Sequence, residues 1–112
     1  MINGAHIIIY SKDADADRIL LRDVLRFPYV DAGHDWLIFR LPEAEAAVHP
    51  SNENDKHELY LMCDDIEGTV RSLNSKGVGC EPFSSQGWGK ATRTRLPGGG
   101  ALGLYEPRHA RP

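Results

Sequence analysis

Two histidines and two glutamates stand at corresponding places in the two halves of this 112-residue chain. His6 precedes Asp13 by seven positions, and Glu58 precedes Asp65 by the same seven. His49 and Glu106 each close an apolar run and are each followed by proline. Imidazole and carboxylate groups can bind a divalent metal, or move protons as general acids and bases. Such chemistry needs the groups to converge, so the elements that carry them decide whether it is possible.

Two comparable half-chains supply those elements. His6-Ile7-Ile8-Ile9-Tyr10-Ser11-Lys12-Asp13 and Glu58-Leu59-Tyr60-Leu61-Met62-Cys63-Asp64-Asp65 share one pattern, a strand-like run that ends at an acidic helix start. Arg40-Leu41-Pro42 before Ala47-Val48-His49-Pro50 is echoed by Arg95-Leu96-Pro97 before Leu104-Tyr105-Glu106-Pro107. Proline holds the residue before it extended. The second copy is two residues longer, which a Gly98-Gly99-Gly100 turn absorbs.

Each half predicts a strand, a helix and three more strands. In the first, residues 2–11 form a strand. Asp13 or Asp15 caps a helix running to about Arg26, with Leu21, Val24 and Leu25 buried. Strands follow near 29–31, 36–41 and 44–49, the last two joined by a turn at Pro42-Glu43. In the second, 58–63 is a strand. Asp65 opens a helix with Ile66, Val70 and Leu73 on one face, stopped at Gly77. Strands follow near 79–83, 90–96 and 101–106, and the polar stretch 52–56 joins the halves. The fold expected is α+β in one domain, with module one about 1–51 and module two about 56–107. A βαβββ unit of about 50 residues cannot bury its sheet alone, so two such units must pair.

Strand side chains alternate between faces. Leu59, Leu61 and Cys63 are expected against the helix, which leaves Glu58, Tyr60 and Met62 on the other face. Likewise Ile7 and Ile9 face the helix, while His6, Ile8 and Tyr10 face away. His57 shares parity with Leu59 and is kept as an alternative to Glu58 in case of a register slip.

The order of these motifs resembles the vicinal-oxygen-chelate superfamily, which includes glyoxalases, bleomycin-resistance proteins and dioxygenases. The carriers are Arg22-Asp23-Val24-Leu25-Arg26-Phe27-Pro28 at the first helix end, the stretch from Glu58 to Glu67, Lys76-Gly77-Val78, Leu96-Pro97-Gly98-Gly99-Gly100 and Leu104-Tyr105-Glu106-Pro107. Arg26 stands where glycine is usual. The resemblance implies paired modules forming a curved, partly closed mixed sheet with helices outside. It implies a divalent metal held by His6, His49, Glu58 and Glu106, with Glu58 or Glu106 as a catalytic base. Relative to the family's enzymes, histidine and carboxylate are exchanged between the positions of His49 and Glu58. Two imidazoles and two carboxylates suit Zn, Ni, Co, Mn or Fe(II) and leave positions for substrate. Such a metal would serve a lyase, isomerase or dioxygenase acting on a small oxygenated substrate. The other function implied is non-catalytic sequestration of an antibiotic or aromatic metabolite. The resemblance also implies a homodimer.

Candidate cavity residues are Tyr10, Trp36, Phe39, Tyr60, Met62, Trp88 and Arg93, with Tyr105 beside them. Trp88 lies in a glycine-flanked stretch that could close over a ligand or form a plain hairpin. Arginine at position 93 would favour an anionic or carbonyl-rich ligand. The net charge of −3 argues against nonspecific binding to nucleic acid. No apolar run reaches the length of a membrane helix, and the N-terminal residues lack a signal-peptide pattern. Cys63 and Cys80 are too few for a disulfide scaffold and are expected as buried thiols in a cytoplasmic protein. Residues 108–112 are expected to fray.

Overall fold

The computed structural model describes residues 6–112. Its described elements are a helix α1 (Ala14–Ile19), strands β1 (Tyr29–Asp31), β2 (Leu37–Phe39) and β3 (Tyr60–Met62), helix α2 (Ile66–Ser75), and strands β4 (Ser84–Gln86), β5 (Gly89–Arg95) and β6 (Ala101–Pro107). They make a mixed α+β fold with one two-stranded and one four-stranded sheet, neither closed into a barrel.

Helix α1 starts where Asp13 caps it, its side chain accepting from the Ala16 amide at 3.1 Å. It continues as a π-helical turn, Leu20–Val24. Arg26 then takes φ +62° to turn the chain out of the helix. Glycine reaches that left-handed conformation without the Cβ penalty that arginine carries. Asp65 caps α2 in the same way as Asp13, accepting from the Gly68 amide at 3.1 Å. Ile66 and Leu73 are buried beneath α2, with Val70 packed beside them.

The second half builds its sheet in the order β3-β6-β5-β4, with β3 parallel to β6 and the other pairs antiparallel. The strand expected at 79–83 regularises at 84–86. Residues 79–81 still lie alongside β5, through Glu81 N–H to Arg93 C=O and Arg95 N–H to Gly79 C=O, each 2.9 Å. Leu61, Leu102 and Leu104 face the helices and join Leu20, Ile66, Leu73, Val78 and Leu96 in one core. Leu21, Val24, Leu25, Leu59 and Cys63 pack against that core. Cys63 and Cys80 are free, half-buried thiols, and burial raises the Cys63 pKa.

The first half departs from its expected form. β1 and β2 pair antiparallel across a turn in which Asp31 accepts from the Gly33 amide at 2.7 Å. The strands expected at 2–11 and 44–49 are not formed among the described residues, and residues 40–59 run irregularly. Residues 2–5 of the first lie outside the described part. A strand exists through its hydrogen-bonded neighbour, and within this chain neither segment lies beside one. Ile7, Ile8, Ile9, Tyr10 and Val48 are consequently exposed.

One buried polar contact joins the halves. Asp17 is 7% exposed, and its Oδ1 accepts from the Gly98 amide at 2.8 Å. A Cβ at Gly98 would collide with Ser11 Oγ and approach Asp17 Oδ2, so only glycine fits under the helix start.

Candidate functional site

The register of the four-stranded sheet sorts its side chains. Tyr60 sits opposite Gly103, and Gly103 opposite Arg93. Met62 sits opposite Tyr105, and Tyr105 opposite Ala91. Cross-strand partners share a face, so Tyr60, Met62, Arg93 and Tyr105 all lie on the side away from the helices. Gly103 leaves room there: a Cβ at that position would fall inside the Tyr60 ring.

Three aromatic rings meet on this face. Tyr60 and Trp88 each set an edge against Tyr105, with centroids 5.7 Å away in both cases and interplanar angles of 89° and 76°. Edge-to-face contact is a favoured geometry for aromatic pairs. Trp88 is placed by the two-residue turn between β4 and β5, so its glycine-flanked stretch is a hairpin rather than a loop that could close. Burial is the main cause that raises the pKa of both phenols. The charge of Glu58 adds to the effect at Tyr60, and that of Glu45 at Tyr105.

The residues that follow β6 are held rather than frayed. Arg108 N–H donates to the Trp88 carbonyl at 2.8 Å, and its Nη1 donates to the Gln86 carbonyl at 2.8 Å. His109 Nε2 lies 3.1 Å from the Tyr105 hydroxyl. His109 and Arg111 both approach Glu45, whose side chain is 18% exposed. Sequence reading missed Glu45, His109 and Arg111. Glu45 lies in a stretch expected only as a strand, and His109 and Arg111 in a tail expected to fray, so no local pattern marks them as a group.

The expected metal donors do not converge within the chain. Glu106 lies on the helix side of β6, where its Oε1 accepts from the Ile66 amide at 3.1 Å, at the first turn of α2. Its cross-strand partner Lys90 faces the same way and pairs with Glu67 of that helix. A carboxylate at a helix N-terminus satisfies a free amide and the positive end of the dipole. The alternation that puts Tyr105 on the open face therefore turns Glu106 from it. Glu58 has the parity of Tyr60 and is exposed. His6 and His57 are exposed and outside regular strands, and His49 Nδ1 lies against its neighbouring Pro50 carbonyl at 2.6 Å. Among the described residues no three His, Cys, Asp or Glu side chains gather as metal ligands do. The four-residue donor set thus does not fit a divalent metal inside one chain.

The cavity candidates of the first half also lie apart from the aromatic cluster. Tyr10 is 91% exposed. Trp36 is exposed and carries the Arg18 guanidinium over its ring at 5.1 Å. Phe39 packs at a tilt against Tyr29 across β1 and β2, with centroids 5.9 Å apart. A hollow of about 550 Å³ opens on the helix side between Leu25, Asp65 and Lys76. It has no aromatic lining, so the ring cluster is the better candidate for a ligand site.

No protein-family model and no curated protein matches the chain. Solved structures do. Lactoylglutathione lyase from Agrobacterium tumefaciens superposes with a TM-score of 0.63 at 15% identity over 88% of each chain. TnmS3, an antibiotic binding protein from Streptomyces sp. CB03234, superposes with a TM-score of 0.66 at 18% identity over 96% of this chain and 99% of its own. A glyoxalase family protein from Enterococcus faecalis gives 0.62 at 21% identity over 82% and 87%. The chain therefore shares the fold of these solved structures. No described helix is long and apolar enough to cross a membrane.

Proposed function

We propose that this chain is a small-molecule-binding protein whose helix-free face takes an aromatic ligand, and that it works as a homodimer of paired modules. The observation that carries the reading is the convergence of Tyr60, Trp88 and Tyr105 on one face, where the missing side chain of Gly103 lets the Tyr60 ring lie against the sheet. A planar ring system gains most from such walls, through area burial and edge-to-face contact. Sequestration of an antibiotic or aromatic metabolite is the role we favour, and the likeness to an antibiotic-binding protein supports it.

The dimer is supported by area. The chain exposes 8810 Å², against about 6,200 Å² for a compact monomer of 12.5 kDa. The excess is larger than the roughly 800 Å² that each partner buries in a standard interface. Ten of the large exposed apolar residues, from Ile7 to Val48, belong to the first half, against Tyr60, Phe83 and Trp88 in the second.

The test is calorimetric titration with 2-naphthol as a neutral aromatic probe. We expect saturable binding that weakens by about tenfold in Trp88→Ala and in Tyr105→Ala, as loss of an aromatic wall implies. A probe that gives no saturable heat would end the reading.

A metal-dependent enzyme is the second reading. It is favoured by Glu58, which lies beside Tyr60 on the open face and raises the Tyr60 pKa. His6, His49 and Glu58 would hold Zn, Ni, Co, Mn or Fe(II) only with chains paired, and the Glu106 side chain would have to give up its bond from the Ile66 amide. Saturable uptake of one such ion per chain, abolished by His6→Ala, would support it. No uptake on titration would remove it.

A further inference from the structure

The aromatic cluster carries one carboxylate whose surroundings are incomplete. Glu45 approaches from the irregular stretch after β2 and stands beside Tyr105. Its Oε1 is buried and has no hydrogen-bond partner. The nearest cations are the chain's own, His109 Nε2 at 3.8 Å and Arg111 Nε at 3.6 Å. Both distances are too long for hydrogen bonds. Both cationic side chains stay partly exposed, at 39% and 49%, so solvent screens these pairs and they hold the tail weakly. A buried carboxylate oxygen without a hydrogen bond is costly to keep, even where the Tyr105 hydroxyl acts on the same carboxylate. A ligand that brought a charged N–H donor would remove that cost.

The rings strengthen the case. Aromatic faces attract cations through their quadrupole, and the attraction grows when water is excluded. The Tyr105 pKa is raised first by burial, then by the Glu45 charge and by a hydrogen bond with Glu45, while Arg111 acts in the opposite direction, so the carboxylate is coupled to the ring.

We propose that the site takes an organic cation, an aromatic or apolar body bearing a protonated amine or guanidinium, whose charged group replaces Arg111 against Glu45. The proposal rests on the aromatic-ligand reading above and adds the charge of the ligand. Arg111 acts as an internal occupant, and the ligand must displace it before it can pair. Displacement reduces the apparent affinity by the fraction of molecules whose site is already open.

The experiment compares three probes of one shape by calorimetry: 1-naphthylmethylamine, 1-naphthylmethanol and 1-naphthoate. On the full chain the amine should bind at least about tenfold more tightly than the carboxylate. Glu45→Gln should bring that ratio close to one, whereas Glu67→Gln, a charge change on the helix side, should leave it intact. Arg111→Gln should tighten the amine by about threefold or more. A carboxylate that binds as well as the amine overturns the proposal, and so does a ratio that survives Glu45→Gln or an amine that gains nothing from Arg111→Gln. Silence from the amine and carboxylate alongside binding of the alcohol also overturns it while sparing the aromatic-ligand reading. Silence from all three ends both. A thermal melt of Glu45→Gln within a few degrees of the parent shows that its ratio belongs to a folded chain.

Discussion

The runs 6–11 and 58–63 share one pattern and meet different fates. In the second, β3 forms because β6 offers a parallel edge, and Leu61 falls into a core shared with α2. In the first, the same kind of run stays irregular and exposes three isoleucines. Pattern makes a segment fit to be a strand, but a hydrogen-bonding neighbour makes it one. The second half meets that need within the chain, and the first does not.

The sharpest way to break this contrast is to ask whether a second copy completes the first half. We expect the protein to sediment at twice 12.5 kDa at micromolar concentration. Ile8→Lys or Ile38→Lys should weaken association by at least about a hundredfold, because each removes about 1.5–3 kcal/mol of apolar burial and adds an unpaired charge. A monomeric parent protein would defeat the idea. Next, the halves should differ in tolerance. Ile66→Ala, at a residue 1% exposed, should cost about 3 kcal/mol by denaturant unfolding. Val48→Ala, at a residue 100% exposed, should cost under about 0.5 kcal/mol in dilute protein. If Val48→Ala cost as much as Ile66→Ala, the first half would be packed after all.

Smaller effects refine the same comparison. Asp17→Ala should cost about 1–3 kcal/mol, since it leaves the Gly98 amide without its acceptor in a buried place. An unchanged unfolding midpoint would mean that the contact is dispensable. Arg26→Gly should raise stability by about 0.5–1 kcal/mol by relieving a left-handed arginine. A loss of stability there would show that the arginine side chain contributes more than its backbone costs.

Much of the second half was legible from sequence. Alternation placed Leu59, Leu61 and Cys63 toward the helix, and helical spacing placed Ile66, Val70 and Leu73 beneath it. The capping roles of Asp13 and Asp65 followed from their position before apolar runs. The departures have physical causes. Glu106 reads as a strand-end ligand, yet one step along β6 separates it from Tyr105 and so turns it to the helix. The strands expected at 2–11 and 44–49 required neighbours that local pattern cannot supply. Glu45 and Arg111 meet only through tertiary folding, across a separation that no motif spans.

The link from Asp17 to Gly98 has a consequence for how the molecule comes apart. Leu20, Leu21, Val24 and Leu25 lie in the same core as α2 and β6, so the first helix belongs energetically with the later half of the chain. The seam between cooperative units then falls near Phe27 rather than at the boundary of the repeat. What the sequence pattern presents as two comparable pieces, unfolding would read as one large unit carrying a loosely attached hairpin.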